Sequence, residues 1–173
     1  MKTIRILQLS DIHWKKQRDA ADDYTDIRDK MLQDLNYYCQ DTGNSFDKIL
    51  ICGDIAFSGS VDEYKRANSF IRDLCKTVAC KSEEVYTVPG NHDKNVNEHP
   101  KCVREFIHQA ISNRWNDCDW LWNKMIDEDF SFIKKLYTPF KEYNNFCNDE
   151  RDNAEPFMLR ALEQYSVNSY VID

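Results

Sequence analysis

No run of apolar residues in this chain approaches the ~20 that a membrane-spanning helix needs, so no membrane span is expected. The first nine residues, broken by Lys2, Arg5 and Gln8, lack the uninterrupted apolar centre of a secretory leader. Glycine and proline are scarce, four of each in 173 residues, which excludes collagen-like and low-complexity chains. None of the seven cysteines forms a C-x-x-C pair, which removes zinc knuckles and thioredoxin-like redox pairs. Scattered and odd in number, they read as reduced thiols, and a cytoplasmic location is expected. A basic excess is missing too. The net charge is −7 with acids and bases interspersed. Such a chain gains little from phosphate-backbone attraction, so nucleic acid is a possible but not a favoured partner. Composition says nothing of the oligomeric state.

What is present is the material of a folded domain: 42% apolar and 13% aromatic residues, enough to bury a core. Residues 3–9, 48–52 and 85–88 read as apolar strands. Between the first two, the spacing of Ile27, Met31, Leu35 and Tyr38 predicts a helix over 22–39, stopped by the polar, glycine-containing stretch 41–44. Between the second and third, Ser60 followed by Glu63 predicts a capping box. The helix it opens runs to 78 and carries Tyr64, Ala67, Phe70, Ile71, Leu74 and Val78 on one face. The order βαβαβ implies an α/β fold with parallel strands and right-handed crossovers over residues 1–94.

From residue 95 the pattern turns helical. Val103, Phe106, Ile107, Ala110 and Ile111 mark one amphipathic helix. Trp115, Trp120, Trp122, Met125, Phe130, Phe132, Ile133 and Tyr137 suggest others, interrupted near Thr138-Pro139. Phe140, Tyr143 and Phe146 add a further turn or two, 148–156 is loop-like, and 165–172 reads as a strand. The segment 95–164 is taken as a helical insertion or cap, and 165–173 as the start of another strand at which the chain is expected to be truncated.

All three strands of the first part end in side chains that bind metals. The first runs into Asp11-Ile12-His13, the second into Gly53-Asp54, the third into Pro89-Gly90-Asn91-His92-Asp93. The carboxyl edge of such a sheet is where α/β proteins bind ligands. Asp11 and His13 stand two apart, so in extended geometry both point to one side and could hold a divalent ion. The two oxygens of Asp54 suit bridging a pair of ions about 3.5–4 Å apart. Asn91 offers a neutral amide oxygen. Each motif alone is weak, and a polar turn would read the same way. The ordered set of three is what carries weight.

That set, Asp11-x-His13, Gly53-Asp54-x-x-x-x-Gly59 and Gly90-Asn91-His92-Asp93, resembles the calcineurin-like metallophosphoesterase superfamily over residues 3–94. The resemblance implies the N-terminal part of an α/β/β/α sandwich and a two-metal phosphoester hydrolase using Mn²⁺, Fe²⁺ or Zn²⁺. It places Asp11 and His13 on the first ion and Asp54 between the two. Asn91 falls on the second ion and on the substrate phosphate. His92 falls beside the substrate as proton donor rather than as a ligand, with Asp93 orienting its imidazole. The wording Gly53-Asp54-Ile55-Ala56-Phe57-Ser58-Gly59 lacks the Gly-Asp-x-Val-Asp-Arg-Gly run of protein phosphatases and is closer to cyclic-nucleotide phosphodiesterase-like members. Phosphodiesters or nucleotides are therefore the expected substrates.

The superfamily's later histidine motifs have no counterpart here. After His92 only His99 and His108 follow, the first in a polar loop and the second on a helix, and both are read as ordinary surface or helix residues. The second sheet is expected to be missing, at most one ion to be well held, and activity to be weak or absent. Two rivals remain. One is a nuclease of the DNA-end-processing branch, which shares these motifs. The other is a non-catalytic scaffold or regulatory module with a degenerate metal site. Lys15, Lys16 and Arg18 beside Trp14 are read as a solvated loop rather than a phosphate contact.

Overall fold

The structure, a computed structural model, describes residues 3–15, 24–114, 135 and 137–149. Three parallel strands, β1 (Ile6–Leu9), β2 (Lys48–Cys52) and β3 (Val85–Val88), form one sheet in the order β1-β2-β3. Helices α1 (Thr25–Thr42) and α2 (Val61–Val78) make the crossovers. Because the strand order never reverses, right-handed crossovers lay both helices on the same face. Beyond β3 come α3 (Lys101–Ser112) and α4 (Lys141–Asp149), with short 3₁₀ turns between. This is the expected α/β class, and among the described residues no second sheet packs on the first.

Register decides what is buried. Ile49 pairs with Leu7 and Val85, and Ile51 with Leu9 and Thr87, so these side chains share the helix-covered face. Ile49, Ile51, Val85 and Thr87 are buried there. Tyr64, Ala67, Phe70, Leu74 and Val78 of α2 cover them, as the helical spacing predicts. Burying one such aliphatic chain stabilises by about 1.5–3 kcal/mol. On the opposite face Ile6 and Val88 are left exposed. Tyr143 and Phe146 of α4 return to the core from far along the chain. The Tyr143 hydroxyl bonds Thr87 Oγ1 at 2.9 Å, and Phe146 lies on Tyr64 with centroids 5.1 Å apart.

The Glu63 half of the capping box forms, with Glu63 Oε2 accepting from the backbone of Ser60 at 3.0 Å and of Ser58 at 2.9 Å, while Glu63 N turns to the Ser60 carbonyl at 3.1 Å. Helix α1 corrects two expectations. It starts at Thr25, and Gly43 in the left-handed region (φ 65°) ends it. Its inward stripe is rotated: Ile27 and Tyr38 are exposed, while Arg28 is buried and Met31, Leu32, Leu35 and Cys39 pack on the core. The buried arginine is what turns the helix, because it reaches a loop described below. In α3 the expected amphipathic helix forms, but Phe106 is exposed rather than inward. Residues 16–23, the tryptophan-rich stretch from Trp115 to Ile133 and the strand expected at 165–172 lie outside the described residues; of the loop expected at 148–156, Asn148 and Asp149 instead end α4 and 150–156 lie outside them too. Among the described residues no helix is long and apolar enough to cross a membrane.

Candidate metal centre

The first two strand-end loops continue the pairing of β1 with β2 past the strands themselves. Asp11 N donates to Gly53 O at 3.2 Å, and His13 N to Asp54 O and Trp14 N to Ile55 O, both at 2.9 Å. Phe57 N closes the ladder on Trp14 O at 2.9 Å. Along this zipper Asp11 (φ 56°), His13 (φ 51°) and Asp54 (φ 52°) all adopt the left-handed conformation. Such residues cost about 1–3 kcal/mol each and cluster at functional sites. Asp11 and His13 therefore meet through two left-handed turns and not, as the spacing suggests, through extended geometry. The turns tuck Ile12 and Trp14 into the core and leave the candidate ligand side chains at the sheet edge.

Two arginines hold that shape. Arg28 of α1 donates to Ile12 O at 2.9 Å from a buried position, and Arg66 of α2 donates to Lys15 O. Their guanidinium carbons lie 3.7 and 4.9 Å from the Trp14 ring centroid. The indole is thus gripped by cation–π contacts from both helices. Arg28→Met, which keeps the apolar stem, is expected to cost about 1–3 kcal/mol of stability. It should also lower Mn²⁺ affinity about tenfold by freeing the loop. Calorimetric titration checks this, and unaltered metal affinity would show that the left-handed turns need no such support.

The third loop wraps the Asp54 carboxylate. His92 N donates to Asp54 Oδ1 at 2.8 Å, and a Cβ added to Gly90 would meet that same oxygen at 2.1 Å. Asp93 is fully buried behind it. Its carboxylate accepts from Gly90 N at 2.8 Å, Ala56 N at 2.8 Å, Ile55 N at 3.2 Å and the Tyr64 hydroxyl at 3.0 Å. Burial pushes the Asp93 carboxyl up from its ordinary value against the pull of these donors, and it pushes the Tyr64 hydroxyl up strongly. Asp93 was expected to orient the His92 imidazole. The ring instead turns to Phe57 O, 2.8 Å from Nδ1, because both Asp93 oxygens are occupied in tying the second loop to the third.

The candidate side chains gather in front of this frame. His13 Nε2 is 3.7 Å from Asp11 Oδ1 and 4.0 Å from Asp54 Oδ2. Those gaps exceed hydrogen-bond length and approach the ~3–3.5 Å between neighbouring donors on one ion with ~2.1 Å bonds. One ligand atom each from His13, Asp54 and His92 lies within 4.8 Å of the others. The two imidazoles meet edge to face with centroids 4.7 Å apart. His92, expected to stay off the metal, is thus close enough to be a third donor. Asn91 is exposed on the loop between Gly90 and His92. A set of imidazole nitrogens and carboxylate oxygens fits Mn²⁺, Fe²⁺ or Zn²⁺. His99 and His108 join nothing here: His99 Nε2 bonds Lys135 O at 2.6 Å, and His108 is exposed on α3.

Arg28, Arg66, Tyr64 and the Phe57 carbonyl were missed from the sequence. Tyr64 had a signal, its place on the inner face of α2, but nothing marked its hydroxyl as a tie to Asp93. A main-chain carbonyl leaves no trace in a sequence, and a buried arginine looks like any other charge on a helix.

The chain is similar to known proteins over most of its length. A protein of Bacillus subtilis (strain 168), named "Uncharacterized metallophosphoesterase-like protein YydB", is 32% identical over 167 residues, which is 96% of this chain. The chain spans 32% of the length of that relative. The Calcineurin-like phosphoesterase family profile matches residues 4–163. This chain belongs to the calcineurin-like phosphoesterase family.

Proposed function

We propose that the cluster at the sheet edge hydrolyses phosphoesters, phosphodiesters or nucleotides by preference, with divalent ions as cofactors. The observation that carries this reading is the junction of the three loops around Asp54. Its Oδ2 faces His13 while its Oδ1 is fixed by the backbone of His92, so one carboxylate links the metal ligands of the first loop to the third. Asp11, His13 and Asp54 would hold one ion, and Asp54 with Asn91 would offer a weaker second place. When bound, such ions supply Lewis acidity at the phosphoryl oxygens and lower the pKa of water.

His92 has a defined part. Phe57 O can only accept, so His92 Nδ1 carries a proton in the neutral ring. Nε2 is then the atom that takes and gives a proton, and it serves the leaving oxygen of the ester. Asp93 is the positioning residue of the site: by tying Gly90, Ile55 and Ala56 it holds Asn91 and His92 against Asp54. In this reading residues 1–94 are the unit that bears the chemistry, and 95–164 is a helical insertion or cap from which α4 also reaches the core.

Only two of the chain's four histidines stand at the cluster, and among the described residues the second ion lacks the donors it needs for firm binding. The 173-residue chain is therefore expected to take up one Mn²⁺ tightly and to turn over bis-p-nitrophenyl phosphate slowly or not at all. Asp54→Asn should abolish uptake, while His92→Gln should spare it and remove residual turnover. Calorimetry and mass spectrometry give the stoichiometry. No metal uptake by the unaltered chain would overturn the reading in favour of a non-catalytic module, and loss of uptake in His92→Gln would make that residue a ligand.

A further inference from the structure

Beside the cluster stands a group of side chains that the proposed chemistry does not use. Phe57 is 43% exposed, yet its backbone is fixed at both ends, by Phe57 N to Trp14 O and by Phe57 O to His92 Nδ1. Its ring centroid lies 5.3 Å from that of His92 and 6.1 Å from that of His13. Behind it, Lys15 Nζ stands 5.5 Å from the Phe57 centroid and 5.8 Å from that of Tyr24, itself an exposed ring. Lys15 is half-buried and makes no ion pair with a carboxylate among the described residues. In a chain of net charge −7 with 30 acidic residues, this ammonium stands against two rings.

We propose that Phe57 is the stacking platform of a substrate subsite, which takes a flat aromatic group joined to the phosphate, with Lys15 drawing the electron-rich or anionic edge of that group. This proposal rests on the phosphoester reading of the cluster. The geometry leads to it in two steps. A phosphoryl group held at His13 and His92 has its next substituent within about one ring width of Phe57, since the ring centroids are 5.3 and 6.1 Å apart. A part-exposed phenyl that already rests against the imidazoles of His92 and His13 offers contact to a flat ligand and loses little further side-chain freedom in doing so. Lys15 then meets ring faces and ester oxygens rather than water alone, which strengthens its attraction to both. This differs from the reading of Lys15 as part of a solvated loop: its charge leans inward toward Phe57.

Two non-hydrolysable probes test the proposal on the Mn²⁺-loaded chain, phenylphosphonate and methylphosphonate, with binding followed by calorimetry. The unaltered chain should prefer the phenyl probe about tenfold, the scale of a single stacking contact. Phe57→Ala should bring the two affinities together, Phe57→Tyr should keep them apart, and Lys15→Gln should weaken both probes with a steeper loss for phenylphosphonate. Equal affinity of the two probes for the unaltered chain, or a preference that survives Phe57→Ala, would overturn the subsite while leaving the phosphoester reading intact. Failure of both probes to bind the metal-loaded chain would overturn the two together.

Discussion

Replacing Asp93 with alanine is expected to destabilise this protein by about 4 kcal/mol or more, a large share of the 5–15 kcal/mol that holds a typical domain folded. The reasoning is a count of what would be left unpaired. Asp93 accepts from three backbone amides, Ile55, Ala56 and Gly90, and from the Tyr64 hydroxyl, all around a side chain with no exposure. Each buried donor stripped of its acceptor costs about 1–3 kcal/mol, and three amides are stripped at once while the Tyr64 hydroxyl loses one of its two acceptors. Tyr64 keeps a second bond, to the Asp93 carbonyl at 3.0 Å, which is why the sum falls short of its upper limit. Asp93→Asn should cost about half as much, because an amide keeps one acceptor oxygen but turns its nitrogen toward groups that can only donate. Urea denaturation of the three proteins measures the series. A loss under about 1 kcal/mol for Asp93→Ala would mean that the second and third loops stay together without this carboxylate.

The centrality of Asp93 was half legible in the sequence. Its place in Gly90-Asn91-His92-Asp93 marks it as a site residue, and the natural guess is that a carboxylate beside a histidine serves that histidine. The structure gives it a different task because the loop turns between positions 92 and 93, sending the imidazole outward and the carboxylate inward. Neighbours in sequence say nothing about which of two faces each side chain takes when the backbone is neither helix nor strand. The regular elements were easier. β2 and β3 have the bounds that their short apolar runs predict, although burial alternates along both strands because the helices cover one face of the sheet. β1 was read too long: Ile4 looks like strand, but it precedes the pairing with β2, where Arg5 instead meets the turn at Asp47 and Lys48. In α1 the apolar spacing pointed to Ile27 and Tyr38, whereas burial of Arg28 against Trp14 and Ile12 outweighed it. Helical periodicity ranks faces by hydrophobicity and cannot see a cation–π contact. The spacing suggested that Asp11, His13, Asp54 and Asn91 meet through extended strand ends, whereas Asp11, His13 and Asp54 stand on left-handed turns and Asn91 is exposed on the third loop. Three non-glycine residues at positive φ are a choice that propensity argues against, and only the inter-loop ladder and the two arginines account for it.

Gly90→Ala is expected to abolish tight divalent-ion binding while leaving the sheet and its helices in place, with Mn²⁺ affinity falling at least about a hundredfold. Glycine is required here for room and not for backbone freedom, since Gly90 is not among the residues of positive φ. A methyl at this position would stand 2.1 Å from Asp54 Oδ1 and 2.4 Å from Asp54 N, distances that no Cβ tolerates. Something must move, and the choices are few. The loop cannot retreat without giving up the bond from Gly90 N to Asp93, and the Asp54 backbone is held by His13 N at 2.9 Å. The softest element is the Asp54 carboxylate itself, which would swing out, break its bond with His92 N and withdraw Oδ2 from His13. One added methyl thereby removes the group that joins the first loop to the third. The strain left in the fold should stay near the 1–3 kcal/mol of ordinary overpacking, so the substitution separates metal binding from folding. Calorimetric titration with Mn²⁺ beside a urea melt reads both quantities. Metal affinity within a factor of about three of the unaltered chain would show that Asp54 does not lie against Gly90, and the shared role of that carboxylate would fall with it.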